Sequence, residues 1–266
     1  MSRRARQLRR RRARGGAGRL LFGVVGVLAG VLIIGACAGV GYIASLAASA
    51  PSIDQLQPAD QGAISTVYAS DGRTRLGFIQ GDTLRTPIGA GRMPLTVRQA
   101  TVAIEDRRFY QHRGVDFEGV VRAAIKNISS HKTVQGGSTL TMQLIRNLYQ
   151  GDRSRTLKRK VREAKLASEL EDEHPGRGGK EWILTQYLNN VPYGTVGGQT
   201  AIGIEAASRV FFDKPARRLT LAESALLAGL PQAPSDYNPF LDETAARRHR
   251  SQVLAQMARS GYISTA

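Results

Sequence analysis

Residues 95–110 read LTVRQATVAIEDRRFY and follow Pro94. Val97, Ala100, Ile104 and Phe109 recur at helical spacing, so the stretch predicts a helix with those side chains inward. Glu105 and Asp106 fall near its C-terminal end, where carboxylates meet the negative pole of the helix dipole. Some other group is therefore expected to hold them there.

Downstream the texture stays helical, with Gly/Pro/Asn-rich loops between periodic segments and no sustained alternation. A mainly α domain over 93–266 follows. Phe117, Val120, Val121, Ala124, Ile125 and Ile128 form an apolar stripe with Arg122 and Lys126 beside it. Such a helix suits either the core or a lipid surface. Gly136-Gly137-Ser138-Thr139 precedes LTMQLIRNLY, which reads either as a loop presenting free N–H groups to an anion or as a Ser/Thr helix cap. Residues 153–173 (RSRTLKRKVREAKLASELEDE) make a helix basic at its start and acidic at its end, the reverse of the dipole preference. KEWILTQYLN (180–189) is a further helix, and NVPYGTVGGQT (190–200) reads as the loop after it. Residues 202–212 and 219–234 read as short buried helices, and 244–262 as a closing amphipathic helix.

Upstream, STVYASDGRTRLGFI (65–79) carries two β-prone runs around Asp71-Gly72 and predicts a hairpin. Residues 50–65 are polar, hold two prolines, and read as a stalk. Between Leu20 and Ile53 no residue is charged, an apolar run longer than the roughly 20 residues that cross a bilayer. A cleaved signal peptide has an h-region of only about 7–15 residues, so a transmembrane helix over 20–46 is expected. The pairs Gly26/Gly30 and Gly35/Gly39 stand at GxxxG spacing, which a Gly-rich span supplies easily.

Charge is concentrated at the N-terminus. The net formal charge is +17, yet residues 1–19 hold nine Arg and no acid, leaving 29 basic against 21 acidic residues for the rest. An Arg-rich arm directly before a membrane span sets topology, with the N-terminus cytoplasmic and residues 50 onward outside. That reading displaces nucleic-acid binding, for which Arg clusters also serve. The 266 residues leave room for one large domain plus attachments. With Cys37 the sole cysteine, an intrachain disulfide and a cysteine-based zinc site are excluded. The expected organisation is an arm (1–19), a transmembrane helix (20–46), a stalk and hairpin (47–92) and the α domain (93–266).

Taken singly, the charged residues read as helix-surface pairs, Glu105 with Arg108 and Arg159 with Glu163, each contributing about 0.2–0.5 kcal/mol. Together, EDRRFYQHRGVD (105–116), GGSTLTMQLIRN (136–147), SRTLKRKVRE (154–163), KEWILTQYLNNVPYG (180–194) and LAESALLAGLPQAPSDYNP (221–239) resemble the peptidoglycan glycosyltransferases. These are the transglycosylase module of class A penicillin-binding proteins and the monofunctional transglycosylases.

The resemblance implies a lysozyme-like, mainly α fold with a small membrane-proximal jaw. It implies as substrates lipid II and the growing glycan chain, joined by β-1,4 bonds with inversion and loss of undecaprenyl diphosphate. Glu105 is implied as general base, and Glu163 as a second catalytic carboxylate near the diphosphate. Arg146, where a Lys is more usual, with Arg155, Arg159 and Lys160, is implied to bind the diphosphate, and Asp106, Ser138, Thr139 and Gln143 to line the cleft. No cofactor is obligatory, a divalent Mg or Mn at the diphosphate being optional. The bacterial cytoplasmic membrane and other cell-wall synthesis proteins are the implied partners, and nucleic acid is not. Met142 and Thr185 depart from the family pattern, the first expected to alter the cleft lining and the second helix packing. The loop 194–208 exceeds the compact family form.

Two rival readings stand beside this one: a lysozyme-like enzyme that cleaves glycan with the key Glu as acid, and a non-catalytic membrane scaffold. Ser129 and Lys132 have the S-x-x-K spacing of penicillin-reactive serines. No S-x-N or K-T-G follows within these residues, so the spacing is expected to be coincidental. The chain is expected to be either monofunctional or part of a longer bifunctional protein.

Overall fold

The computed structural model describes residues 3–55, 65–79, 83–130, 137–149 and 156–264. Most of the stalk (56–64), Lys132 and Gly136 therefore lie outside the described residues. Two compact units divide the chain at Ala50 and Pro51. The first is one helix, α1 (Arg3–Ala48), whose 25-residue segment Val24–Ala48 has a mean hydropathy of 2.4 and is long and apolar enough to cross a membrane. No helix break separates the Arg-rich arm from the apolar segment.

In the second unit, β1 (Ser65–Tyr68) and β2 (Arg75–Ile79) pair antiparallel as the hairpin reading expects. The connection is wider than a two-residue turn. Asp71 accepts hydrogen bonds from the backbone N–H of Arg73 and Thr74, both at 2.8 Å, while Gly72 takes a φ of +65°.

The helical domain is built around α4 (Leu140–Tyr149) and α6 (Gly176–Asn190), both packed against each other, with α5 (Leu157–Glu173) against α4. Leu140, Leu144 and Ile145, Ile183, Leu184, Tyr187 and Leu188, and Leu166, Ala167 and Leu170 form this core. A smaller cluster joins α2 (Leu95–Glu105) to α8 (Leu221–Gly229) and α9 (Glu243–Arg259) through Ala100, Ala103, Ala225, Ala228, Val253 and Met257. Alanines at this junction let three backbones approach closely. Val97 and Ala100 face inward as expected, but α2 stops at Glu105, so the fully buried Phe109 belongs to the loop after it.

Two expectations change. Residues 190–200 are not a plain loop: β4 (Pro192–Val196) and β5 (Gln199–Ile202) form a hairpin through Gly197 and Gly198, at φ +59° and +82°. β5 also pairs in parallel with β3 (Thr83–Arg85), giving strand order β3-β5-β4. These strands are too short to show alternation, and β3 finds its partner more than 100 residues away. The second change concerns α3 (Phe117–Ser130), whose Phe117 is 77% and Val121 58% exposed while Ala123 is buried. At those positions the core reading fails, because both side chains face solvent; the side chains of Ala124, Ile125 and Ile128 lie outside the described residues.

Gly114 locks the loop between α2 and α3 onto the domain. At φ +72° its Cα lies so close to α5 that a Cβ would stand 2.6 Å from the Ala167 carbonyl, and its own carbonyl accepts from Thr139 Oγ1 at 2.6 Å. Gly114→Ala therefore combines backbone strain with a backbone clash and should destabilise the domain by roughly 2–4 kcal/mol, read as a fall in thermal midpoint.

Candidate active site

Glu105 is the last residue of α2. Its Oε2 accepts from Gln143 Nε2 at 2.8 Å, and Gln143 Oε1 accepts from the Tyr187 hydroxyl at 3.2 Å, so α4 and α6 together orient the carboxylate. Burial pushes the Glu105 carboxyl above the usual glutamate range; the Gln143 bond opposes this, neighbouring Asp106 adds to it, and Arg146 opposes it. The same burial holds the Tyr187 phenol far above its ordinary value, so it stays a neutral donor. The suggested Glu105–Arg108 pair does not form; Arg108 instead meets Asp116 and Glu118.

Asp106 answers the question its position raises. Its oxygens lie 3.0 and 2.9 Å from His112 Nε2, and Oδ2 accepts from the Leu140 backbone N–H at 3.1 Å. The carboxylate that α2 disfavours at its C-terminus thus caps the N-terminus of α4, where the dipole favours it. Asp106 is buried with both oxygens engaged, and it lines a small pocket beside Glu105. Thr139 lines that pocket too and is likewise engaged. Its hydroxyl donates to Gly114 O and accepts from Met142 N at 3.2 Å, the helix-cap alternative. Met142 is buried in the core and does not line the cleft, and Thr185 donates to Glu181 O at 2.7 Å along its own helix.

Glu163, fully buried on α5, gathers the cations. Its Oε1 lies 2.6 Å from Arg159 NH1 and 3.0 Å from Arg146 Nε, and its Oε2 lies 3.3 Å from Arg146 NH2 and 3.5 Å from Lys160 Nζ. The Arg146 fork therefore grips this carboxylate bidentately, where a phosphate grip was expected. Lys160 also donates to Ser138 Oγ at 2.5 Å, which ties α5 to the loop before α4. Burial lowers the Lys160 ammonium pKa, with Glu163 opposing and the two arginines adding. Glu163 thus stands behind the cations rather than at the surface that a substrate touches. The inverted charge order of α5 has its cause here, together with Glu171, which pairs with Lys180 at 2.7 Å. Arg155 lies outside the described residues.

Glu105 and Arg146 open on a cleft of about 550 Å³. Glu105, Arg107, Ser138, Gln143 and Arg146 line it, facing Pro231 and Gln232 and a face of α9 bearing Gln252, Gln256 and Arg259. Sequence reading brings out the first group apart from Arg107. It misses the α9 face, whose polar residues look like an ordinary solvated helix, and it misses His112 and Tyr187, which act through other side chains. Among the described residues no three His, Cys, Asp or Glu side chains cluster, and Glu163 already faces three cations.

Residues 73–258 match the family described as Transglycosylase, and the chain belongs to that family. Penicillin-binding protein 2D of Bacillus subtilis (strain 168) is 40% identical over 232 residues, 84% of this chain and 32% of that protein. Penicillin-binding protein 1A of Neisseria lactamica is 39% identical over 238 residues, 88% of this chain and 28% of that protein. Penicillin-binding protein 1A of Aquifex aeolicus (strain VF5) is 42% identical over 200 residues, 75% and 26% respectively. The chain thus spans about a third or less of the length of these relatives.

Removing the Glu163 carboxylate leaves Arg146, Arg159 and Lys160 facing one another. Buried charges stripped of a partner typically cost about 3–5 kcal/mol. Because Arg146 and Lys160 reach solvent, Glu163→Ala should fall at the lower end of that range, measured by denaturant unfolding of the folded chain.

Proposed function

We propose that the chain is a membrane-anchored peptidoglycan glycosyltransferase that polymerises lipid II into β-1,4-linked glycan. The observation that carries this is the cleft lined by both Glu105 and Arg146, the latter held by the same Glu163 carboxylate as Arg159 and Lys160. In the reaction, a sugar 4-hydroxyl attacks the donor anomeric carbon from the face opposite the diphosphate. Glu105 accepts the hydroxyl proton as the new C–O bond forms, and the bond to the diphosphate breaks with inversion. Its pKa, raised chiefly by burial, makes it a stronger base than a solvated glutamate.

Charge accumulates on the departing undecaprenyl diphosphate. Arg146 lines the cleft and Lys160 is joined to cleft-lining Ser138, so both are in position to stabilise it more in the transition state than in the ground state. Arg159 and Glu163 fix that pair in place. Arg155, outside the described residues, is assigned to the diphosphate by its place in the family motif SRTLKRKVRE alone. No step needs a metal.

The apolar segment of α1 is the anchor, and the Arg block keeps its N-terminal end in the cytoplasm, so synthesis takes place on the outer face of the bacterial cytoplasmic membrane. Exposed Phe117 and Val121 favour the lipid alternative for α3. Other cell-wall synthesis proteins are expected at the same surface.

Incubation with lipid II should yield polymer, and Glu105→Gln should lower the rate by about 10²–10⁴-fold. A base must be deprotonated, so wild-type activity should rise with pH through the Glu105 pKa, with that limb above the ordinary glutamate range. A rate that falls through that pH range, or cleavage of finished strands in place of polymer, would support the hydrolytic rival. Full activity in Glu105→Gln would remove it as the base.

Topology has its own test. Neutralising the arginines among residues 3–14 should produce chains of mixed orientation by protease protection, whereas wild type should expose residues 51–266 on the outer side alone.

A further inference from the structure

One face of α9 is left over by the chemistry above. Gln252, Gln256 and Arg259 stand at i, i+4 and i+7 and line the same cleft as Glu105, spread over about 10 Å at 1.5 Å per residue. The core does not need them, since α9 buries Ala246, His249, Val253 and Met257.

Gln256 Oε1 is shielded from solvent and has no hydrogen-bond partner among the described residues. Arg259 makes none of the ion pairs found among the described residues. Gln252 is held in one orientation: His249 Nδ1 lies 3.0 Å from its Oε1. His249 is itself pinned by stacking on Tyr237, with ring centres 3.8 Å apart, and by Gly229, where a Cβ would come within 2.6 Å of its ring. With the neutral imidazole protonated on Nδ1, it donates to Gln252 Oε1 and leaves the Gln252 amide N–H groups for a partner in the cleft.

Two carboxamides in a row match a peptide backbone, because each offers a donor and an acceptor. A guanidinium one turn further along matches a carboxylate. A sugar acetamide offers one such donor and acceptor but neither a run of them nor a carboxylate, and a diphosphate finds its cations at Arg146 and Lys160. We propose that Gln252, Gln256 and Arg259 recognise the peptide carried by the substrate sugar, the carboxamides binding its backbone and Arg259 a free carboxylate. His249 is a positioning residue for Gln252. This inference rests on the glycosyltransferase reading and deepens it by assigning specificity to the wall opposite the base.

The test is steady-state polymerisation by the full chain in detergent micelles, using synthetic lipid II with a complete peptide, with the peptide cut back to its first residue, and with the peptide carboxylates amidated. Wild type should prefer the complete over the truncated peptide by about ten-fold in kcat/KM, mostly through KM. The double variant Gln252→Ala/Gln256→Ala and the single variant Arg259→Gln should each bring that preference toward unity. Arg259→Gln should also treat free and amidated peptides alike, whereas wild type distinguishes them and Arg259→Lys recovers part of the difference. Gln252 and Arg259 are exposed, so these changes spare the core. A ten-fold preference that survives in the variants overturns the inference, as does a wild type that polymerises all three substrates equally. In both outcomes the glycosyltransferase reading stands. A wild type that links none of them overturns that reading and the inference with it.

Discussion

The Asp106 carboxylate is the constraint on which the site depends. It follows the last residue of α2, an electrostatically poor position, and is stabilised there by the N-terminus of α4 and by His112. One buried carboxylate thus joins α4 to α2, which places Val97 and Val102 in the main core and Ala100 and Ala103 in the smaller cluster with α8 and α9. Because Glu105 is the adjacent residue, the register of that joint sets where Glu105 stands. Gln143 and Tyr187 then complete its orientation from α4 and α6.

A second constraint is charge balance. Three cations gathered around one carboxylate repel one another, and a helix start is a poor place for two of them. Glu163 resolves both problems by sitting beneath them with no exposure at all. Isolated on a helix surface, an Arg159–Glu163 pair would contribute a few tenths of a kcal/mol. Buried and shared among three partners, the carboxylate sets the geometry of the whole cationic wall, and this explains why the Arg146 fork faces inward.

The two constraints act in opposite electrostatic senses at one cleft. Around Glu105, burial disfavours charge and raises basicity; around Lys160, burial disfavours the ammonium while Glu163 retains it. The two groups thus differ in the charge their surroundings favour, the separation that the proposed displacement would use.

Helical periodicity in the residues between Leu95 and Tyr262 was enough to read a mainly α domain, and the uncharged run from Leu20 was enough to read a membrane-length helix, because both are local properties of spacing and composition. The motif resemblance brought out Glu105, Gln143, Arg146, Lys160 and Ser138 from residue type and order. Whether Asp106, Thr139 and Glu163 face a substrate or the interior was not legible, since a carboxylate or hydroxyl reads the same in either place. Their roles follow from partners at Leu140, Gly114 and Arg146, which lie 17 to 34 residues away in sequence. The same holds for β3 and β5, which are too short to signal themselves and form only when packing brings residues 83–85 beside 200–202. It holds too for the polar face of α9, which becomes the second wall of a cleft only because α2, α8 and α9 share an alanine-lined junction. Local chemistry named the reactive groups; long-range packing chose which of them meet.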